Sequence, residues 1–303
     1  MESPAERGSE AHGVNRTYVS ILSTDTYLPG VLVLHNSLSR TAPRYPFLLL
    51  ITPNVSDRVR RVLTRHGINY NVLEQPIANP TGVEETHRWH YNYSKIHIFN
   101  QVQFDKIVFL DADMLISANL DELLEKPHMS AVNSGGLLPE LSSWKQLNSG
   151  LLVIEPSTDL FTDMIGRIGA MDPRQPAGDQ AFLHTYYSDW PSRKELHLDH
   201  RYNMFAKHLD RYYELFGYTL ADVKVLHFVG ETKPWTPVQP PAPKGWRRRF
   251  GALLWRTTES DTSLGRATML DAANRMWLQC YGELEGSLEN FGATSPLSQG
   301  RAD

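Results

Sequence analysis

The sequence has 303 residues, 41% hydrophobic and 21% charged, which is globular composition with length for one large domain or two small ones and excludes a disordered or fibrous protein. With 30 basic against 34 acidic side chains the formal charge is −4, so no global field draws the chain to nucleic acid or to an anionic membrane. Cys280 is the only cysteine; this excludes an intrachain disulfide and a zinc site built on several thiolates, and leaves any metal to Asp, Glu, His and carbonyl ligands.

Residues 1–16 are polar, lack the apolar core of a signal peptide and are expected to form a disordered tail on a soluble, cytoplasmic chain. The longest apolar run, Phe47 to Ile51, is too short to span a membrane. Sequons at Asn15, Asn54 and Asn92 fit the glycosylation pattern but, with no secretory signal in view, are read as coincidental. From Thr17, TYVSILST alternates like a strand, and PGVLVLHNSLSRT follows with helical spacing. YPFLLLIT, SDRVRRVLTRHG and INYNVLEQ repeat the strand, helix, strand order, with Ser56 as N-cap and Gly67 closing the helix. That succession implies a parallel sheet. A third helix is expected over Tyr93 to Gln101, then DKIVFLDAD, a short buried strand ending in two carboxylates.

Further along, LNSGLLVIEP has a buried-strand pattern, a helix is expected from about Asp159 to Ala170, and another opens at Asp179. VKVLHFVG, Val223 to Gly230, is the last strand. The ten residues from Pro234 to Pro243 include five prolines, which can continue neither helix nor central strand. The predicted organisation is therefore an α/β domain over residues 17–237, a Pro-rich linker over 238–245, C-terminal helices over 246–290 and a flexible tail over 291–303. In the last part, Trp246, Phe250, Leu253 and Leu254 fall on one helical face with Arg247 to Arg249 between them; a packed helix with solvated arginines is preferred to a membrane-surface helix.

Asp111 and Asp113 are two residues apart after the apolar strand, so extended backbone would point both carboxylates the same way, an arrangement suited to a hard divalent cation. With 17 Asp in the chain, about one such tripeptide is expected by chance, and alone it is equally a solvated turn. His227, inside VKVLHF, reads alone as a core histidine. Gly230 and Lys233 follow it, giving close backbone approach and a point charge where a phosphate could sit; alone, Lys233 is a surface lysine before a proline. Oxygen ligands with one imidazole suit Mn²⁺, with Mg²⁺ as competitor. Asn148, Ser149 and Gly150 form a polar break in an apolar strand pattern, and Asp179 and Gln180 follow a glycine at a helix start. Each does turn or cap duty singly, and together they could bind a polyhydroxylated ligand.

LSTDTYLPGVLVLHNSL, NYSKIHIF, FLDADMLISANLDELL, LNSGLLVIEPS, GDQAFLHTYYSDW and HFVGETKPW, in that order, resemble the glycogenin-like retaining glycosyltransferases of family 8 from about Tyr18 to Trp235. The resemblance implies a GT-A fold, a single Rossmann-like α/β domain with a mostly parallel sheet that binds a UDP-sugar and a manganese ion. It makes Asp111, Asp113 and His227 metal ligands and sets Lys233 and Gly230 near the phosphates, with Ala112 between the two carboxylates. Leu22, Thr24 and Tyr27 would line the uracil and ribose pocket, and Lys95, Asn148, Asp179 and Gln180 would surround the sugar. The reaction implied is transfer of a hexose, glucose first and galactose second, to a hydroxyl acceptor on a small molecule, a glycan or a protein, with retention through Asp179 as nucleophile or by front-face attack.

Two departures bear on the acceptor. Pro176 stands where many glycogenin-like proteins carry an additional Asp. Asp210 aligns with the tyrosine that self-glucosylating members use as first acceptor; Tyr212 and Tyr213 lie close by and could serve, but both read as packing residues. NYSKIHIF also resembles plant members acting on inositol or xylan. A haloacid-dehalogenase-like phosphatase would place its Asp-x-Asp on the first strand and leaves HFVG and LNSG unexplained. A catalytically silent UDP-sugar-binding protein stays open, as does a homodimer. A strand-end carboxylate contributes little to a core, so Asp113→Asn is expected to remove activity with little loss of stability.

Overall fold

The structure, a computed structural model, describes residues 15–80, 90–172, 178–236 and 268–289. Its main body is a seven-stranded sheet of order β3-β2-β1-β4-β7-β6-β8, built from β1 (Arg16–Leu22), β2 (Phe47–Ile51), β3 (Tyr70–Val72), β4 (Lys106–Leu110), β6 (Ala131–Asn133), β7 (Leu147–Ile154) and β8 (His197–Leu198). Strands β3, β2, β1 and β4 are parallel neighbours, and β8 is parallel to β6; only β7 runs against its neighbours. The sheet is thus mostly parallel, as the alternating elements imply. A second sheet of order β5-β10-β9 holds β5 (Met114–Ile116), β9 (Met204–Phe205) and β10 (Val225–His227).

Period-two alternation distributes the core. Along β4, Ile107 and Phe109 pack with Phe99, Leu152 and Trp190 on one face, while Val108 and Leu110 pack with Leu34, Leu151 and Val225 on the other. Helix α1 (Leu28–Arg40), α2 (Asp57–Arg65) and α5 (Leu209–Phe216) enclose a further apolar cluster with β2 and β10. The helix signals hold: the Ser56 hydroxyl accepts from Val59 N, and Gly67 closes α2 at φ +67°. Ser157 caps α3 (Thr158–Gly169) by accepting from Leu160 N.

Three expectations are corrected. Asn15 and Arg16 are not tail: Asn15 N donates to Asp105, and Arg16 pairs with Lys106 in the sheet. The segment Asn92–Asn100 is a 3-10 helix; three residues per turn set Asn92 and Lys95 in one row, and both line the cleft described below. Val223 to Gly230 is not a strand of the central sheet. Only Val225–His227 is extended, antiparallel to β5 in the second sheet, after which Gly230, at φ +102°, turns the chain back. The buried strand expected at LNSGLLVIEP is β7, with Asn148, Ser149 and Gly150 inside it.

The C-terminal helix α6 (Met269–Glu289) begins in a reciprocal cap, with Asp271 N donating to Thr268 Oγ1 and Thr268 N to Asp271 Oδ2. It belongs to the same core as the sheet domain: Ala273, Trp277 and Cys280 are buried against α1 and α5 residues. Asp210 accepts from Met269 N, and Arg40 pairs with Glu283. The tails within 1–14 and 291–303, Pro176, the linker and the Trp246–Leu254 helix lie outside the described residues.

Candidate active site

The carboxyl ends of β1 and β4 open onto a cleft of about 520 Å³, continuous through shared residues with a smaller cavity of about 160 Å³. Ligands collect at this end of open α/β sheets. Asp111 to Asp113 form a turn between β4 and β5 rather than extended strand. What makes them converge is pairing: the register sets His227 opposite Met114, Phe228 N donates to Asp113 O, and Asp111 N donates to Gly150 O. Donor atoms of Asp111, Asp113 and His227 consequently lie within 4.8 Å of one another. His227 Nε2 stands 3.1 Å from Asp113 Oδ1 and 3.8 Å from Asp111 Oδ2. Two carboxylates and one imidazole are a donor set that fits a Mn²⁺-class cation, with Mg²⁺ as competitor.

Lys233 is 7% exposed, not the surface lysine its position before a proline allowed. Its Nζ lies 2.5 Å from Asp113 Oδ2 and donates to Phe228 O at 2.7 Å, which folds the loop after β10 back over the carboxylate. Asp113 is correspondingly buried. Burial alone would raise its pKa, but His227 and Lys233 outweigh burial and hold it well below the usual carboxylate range. On the other wall Lys95 Nζ spans Asp111 Oδ1 and Asp179 Oδ2 at 2.9 Å each. Burial opposes its charge, yet the two carboxylates hold its pKa above the usual lysine value.

Ser149 ties β7 to the start of α4 (Asp179–Tyr186): its hydroxyl donates to Asp179 Oδ2 at 3.1 Å, and its N–H to Gln180 Oε1 at 3.1 Å. Tyr93 donates to Gly178 O beside the same turn. Burial and the Asp179 charge push its phenol up to about 12, so it remains a neutral donor. Tyr27 lines both cavities, with Lys233 Nζ 5.5 Å from its ring centroid.

The cleft thus gathers Tyr27, Lys95, Asp111, Asp113, Asn148, Asp179, Gln180, His227, Gly230 and Lys233, with Ala112 on the wall of the smaller cavity. Leu22 is apart: its side chain is fully buried in the apolar core and offers a ligand no surface. Thr24 bonds Thr26 through their hydroxyls at 2.7 Å. Tyr212 is buried, stacked on His200, and Tyr213 is 54% exposed. Residues not expected at the site are Asn92, the first of NYSKIHIF, on the cleft wall, and Asn203, whose side chain joins Asn148 to His227.

The sequence profile of glycosyl transferase family 8 matches residues 18–238. Glycogenin-1 of Oryctolagus cuniculus is 29% identical over 226 residues, 73% of this chain and 66% of that one. Inositol phosphorylceramide glucuronosyltransferase 1 of Arabidopsis thaliana is 34% identical over 187 residues, 62% of this chain and 32% of that one. The chain thus spans less than two thirds of the length of either relative. In three dimensions it is similar to the apo form of the glycosyltransferase GlyE of Streptococcus pneumoniae, with TM-score 0.56, 16% identity, and coverage of 91% of this chain and 64% of that one, a likeness of fold. Among the described residues no helix is long and apolar enough to cross a membrane. With the profile covering the sheet, the paired carboxylates and the lysine loop alike, the chain belongs to glycosyl transferase family 8, with the GT-A fold.

Proposed function

We propose that the chain is a retaining hexosyltransferase that takes a UDP-sugar as donor, glucose first and galactose second, and uses Mn²⁺. The observation that carries this reading is the meeting of Asp111, Asp113 and His227 beside Lys233 at one end of the cleft, with Lys95, Asp179 and Gln180 at the other. Breaking a glycosyl-phosphate bond builds negative charge on the leaving diphosphate and positive charge on the anomeric carbon. A divalent cation bound by Asp111, Asp113 and His227 would supply Lewis-acid stabilisation of the first. Without it, the cleft sets three carboxylates, Asp111, Asp113 and Asp179, against Lys95 and Lys233, a balance that does not favour a diphosphate.

Lys233 is held on the Asp113 side and supplies a fixed positive charge for the diphosphate. Such preorganised charges contribute several kcal/mol because they reorient little as the bond breaks. Asp179 already accepts from Lys95 and Ser149 through Oδ2, which lowers its strength as a nucleophile and favours front-face attack, with Asp179 and Gln180 orienting the sugar, over a covalent intermediate.

The acceptor is a hydroxyl on a separate molecule or on the chain itself. Asp210 occupies the aligned acceptor position and caps α6, while Tyr213 is an exposed tyrosine close by in sequence. The purified protein with Mn²⁺ is incubated with UDP-glucose, UDP-galactose and UDP-glucuronate, the last because relatives are named for it. UDP release and intact mass are followed together. UDP release with glucose is expected; hexose steps in mass would make the chain its own acceptor. UDP binding without consumption of any sugar, across a panel of hydroxyl acceptors, would leave a nucleotide-sugar-binding protein instead.

A further inference from the structure

The hydrogen bonds around His227 form a chain with one unambiguous end. Gly150 N, a backbone donor, points at Asn148 Oδ1 at 2.9 Å, so the amide atom facing it must be oxygen. That oxygen also lies 2.7 Å from the Asn203 side chain. Two oxygens would repel at that distance, so Asn203 turns its NH₂ group there and its own oxygen toward His227 Nδ1, 2.8 Å away. An acceptor so placed requires Nδ1 to carry a proton. Nε2 is then the nitrogen that faces Asp113 and Asp111 and the one that a cation held there would meet.

Burial makes this chain binding. Asn148, Asn203 and His227 are each at least 94% buried, so no bulk water replaces a lost partner. The pairing of β9 with β10, Met204 opposite Leu226, brings Asn203 beside the imidazole, and the Phe205 ring meets that imidazole edge-on at 5.5 Å. A Cβ on Gly150 would fall 2.5 Å from His227 Cε1, so only glycine lets the donor strand approach this closely.

We propose that Asn203 is a positioning residue: relayed from the Gly150 amide through Asn148, it fixes the Nδ1–H tautomer of His227 and aims Nε2 at the cation site. The same relay spends Asn148 Oδ1 on two donors, which leaves its Nδ2 to the cleft and makes Asn148 a donor toward any ligand. This inference rests on the metal-assisted reading of the cleft.

The test uses the full chain with ¹⁵N-labelled histidine. In the metal-free wild type, the His227 signals, assigned by their absence in His227→Gln, are expected to show Nδ1 protonated. Mn²⁺ binding, followed by the electron paramagnetic resonance of free Mn²⁺, is expected to weaken by about 10- to 100-fold in Asn203→Leu. The same spectrum of metal-free Asn203→Leu is expected to lose the fixed Nδ1 proton, a change that a merely structural role would not produce. A bare Nδ1 in the wild type overturns the proposal, and so does wild-type Mn²⁺ affinity in a folded Asn203→Leu protein. Absence of Mn²⁺ binding in the wild type would instead overturn the metal reading, and the comparison of the metal-free wild-type and Asn203→Leu spectra would still decide the relay.

Discussion

Asp113 shows how the surroundings of one side chain reset its energetics. Its strand-end position suggests a solvated carboxylate, yet it is buried between His227 and Lys233. Asp113→Asn is therefore expected to do two things: lower turnover at least about 100-fold, by removing charge from the cation and phosphate site, and cost about 1–3 kcal/mol of stability, because Lys233 loses a charged acceptor inside the protein. Initial rates and urea unfolding midpoints check both, and an unchanged midpoint would restore the solvated-carboxylate picture. Side-chain chemistry in this cleft was legible where polar residues interrupt apolar runs, as Asp111, Asp113, Asn148 and His227 do. Asn203 was not legible. It sits between a short 3-10 turn and a two-residue strand, where no periodicity marks a polar residue as buried, and its partners arrive from 24 and 55 positions away.

At the scale of elements, the strands and capped helices were readable from alternation and from Ser56, Gly67 and the proline cluster, whereas strand pairing was not. Antiparallel β7 and the removal of β10 to a second sheet are consequences of long-range register. The docking of α6 was equally hidden, because the proline-rich stretch reads as the end of a domain. Trp277 is fully buried, 5.2 Å from the Trp235 ring and stacked on Tyr281. Trp235 in turn meets Tyr27 edge-on and donates to Thr26 O. Through this stack α6 braces the loop bearing Lys233 against the cleft. Trp277→Ala is expected to destabilise the fold by about 3–5 kcal/mol and, in protein still folded at low temperature, to raise the KM for the donor more than it lowers kcat. Unfolding and steady-state kinetics measured together check this; an unchanged KM would confine α6 to a packing role.

For the whole molecule, acid sensitivity follows from histidines that folding takes out of water. Burial lowers the pKa of His35, His66, His97, His128, His200 and His208. Above the unfolded value near 6.5 both states are neutral at these positions and the shifts contribute nothing. As pH falls below it, the unfolded chain takes up protons that the folded chain refuses, and stability declines until the folded pKa values are passed. Thermal midpoints in EDTA are expected to fall from pH 7.5 to pH 5.5; a flat or rising profile would contradict the burial of these rings. Family and fold were legible because six motifs keep their order between about Tyr18 and Trp235; what their residues do once they meet is tested by calorimetric titration of UDP into the metal-free protein and into the protein with Mn²⁺, repeated with Asp113→Asn. The expected result is binding at least about tenfold tighter with Mn²⁺ in the wild type, with that difference lost in Asp113→Asn. Equal UDP affinity with and without Mn²⁺ in the wild type would contradict a metal-bridged diphosphate site.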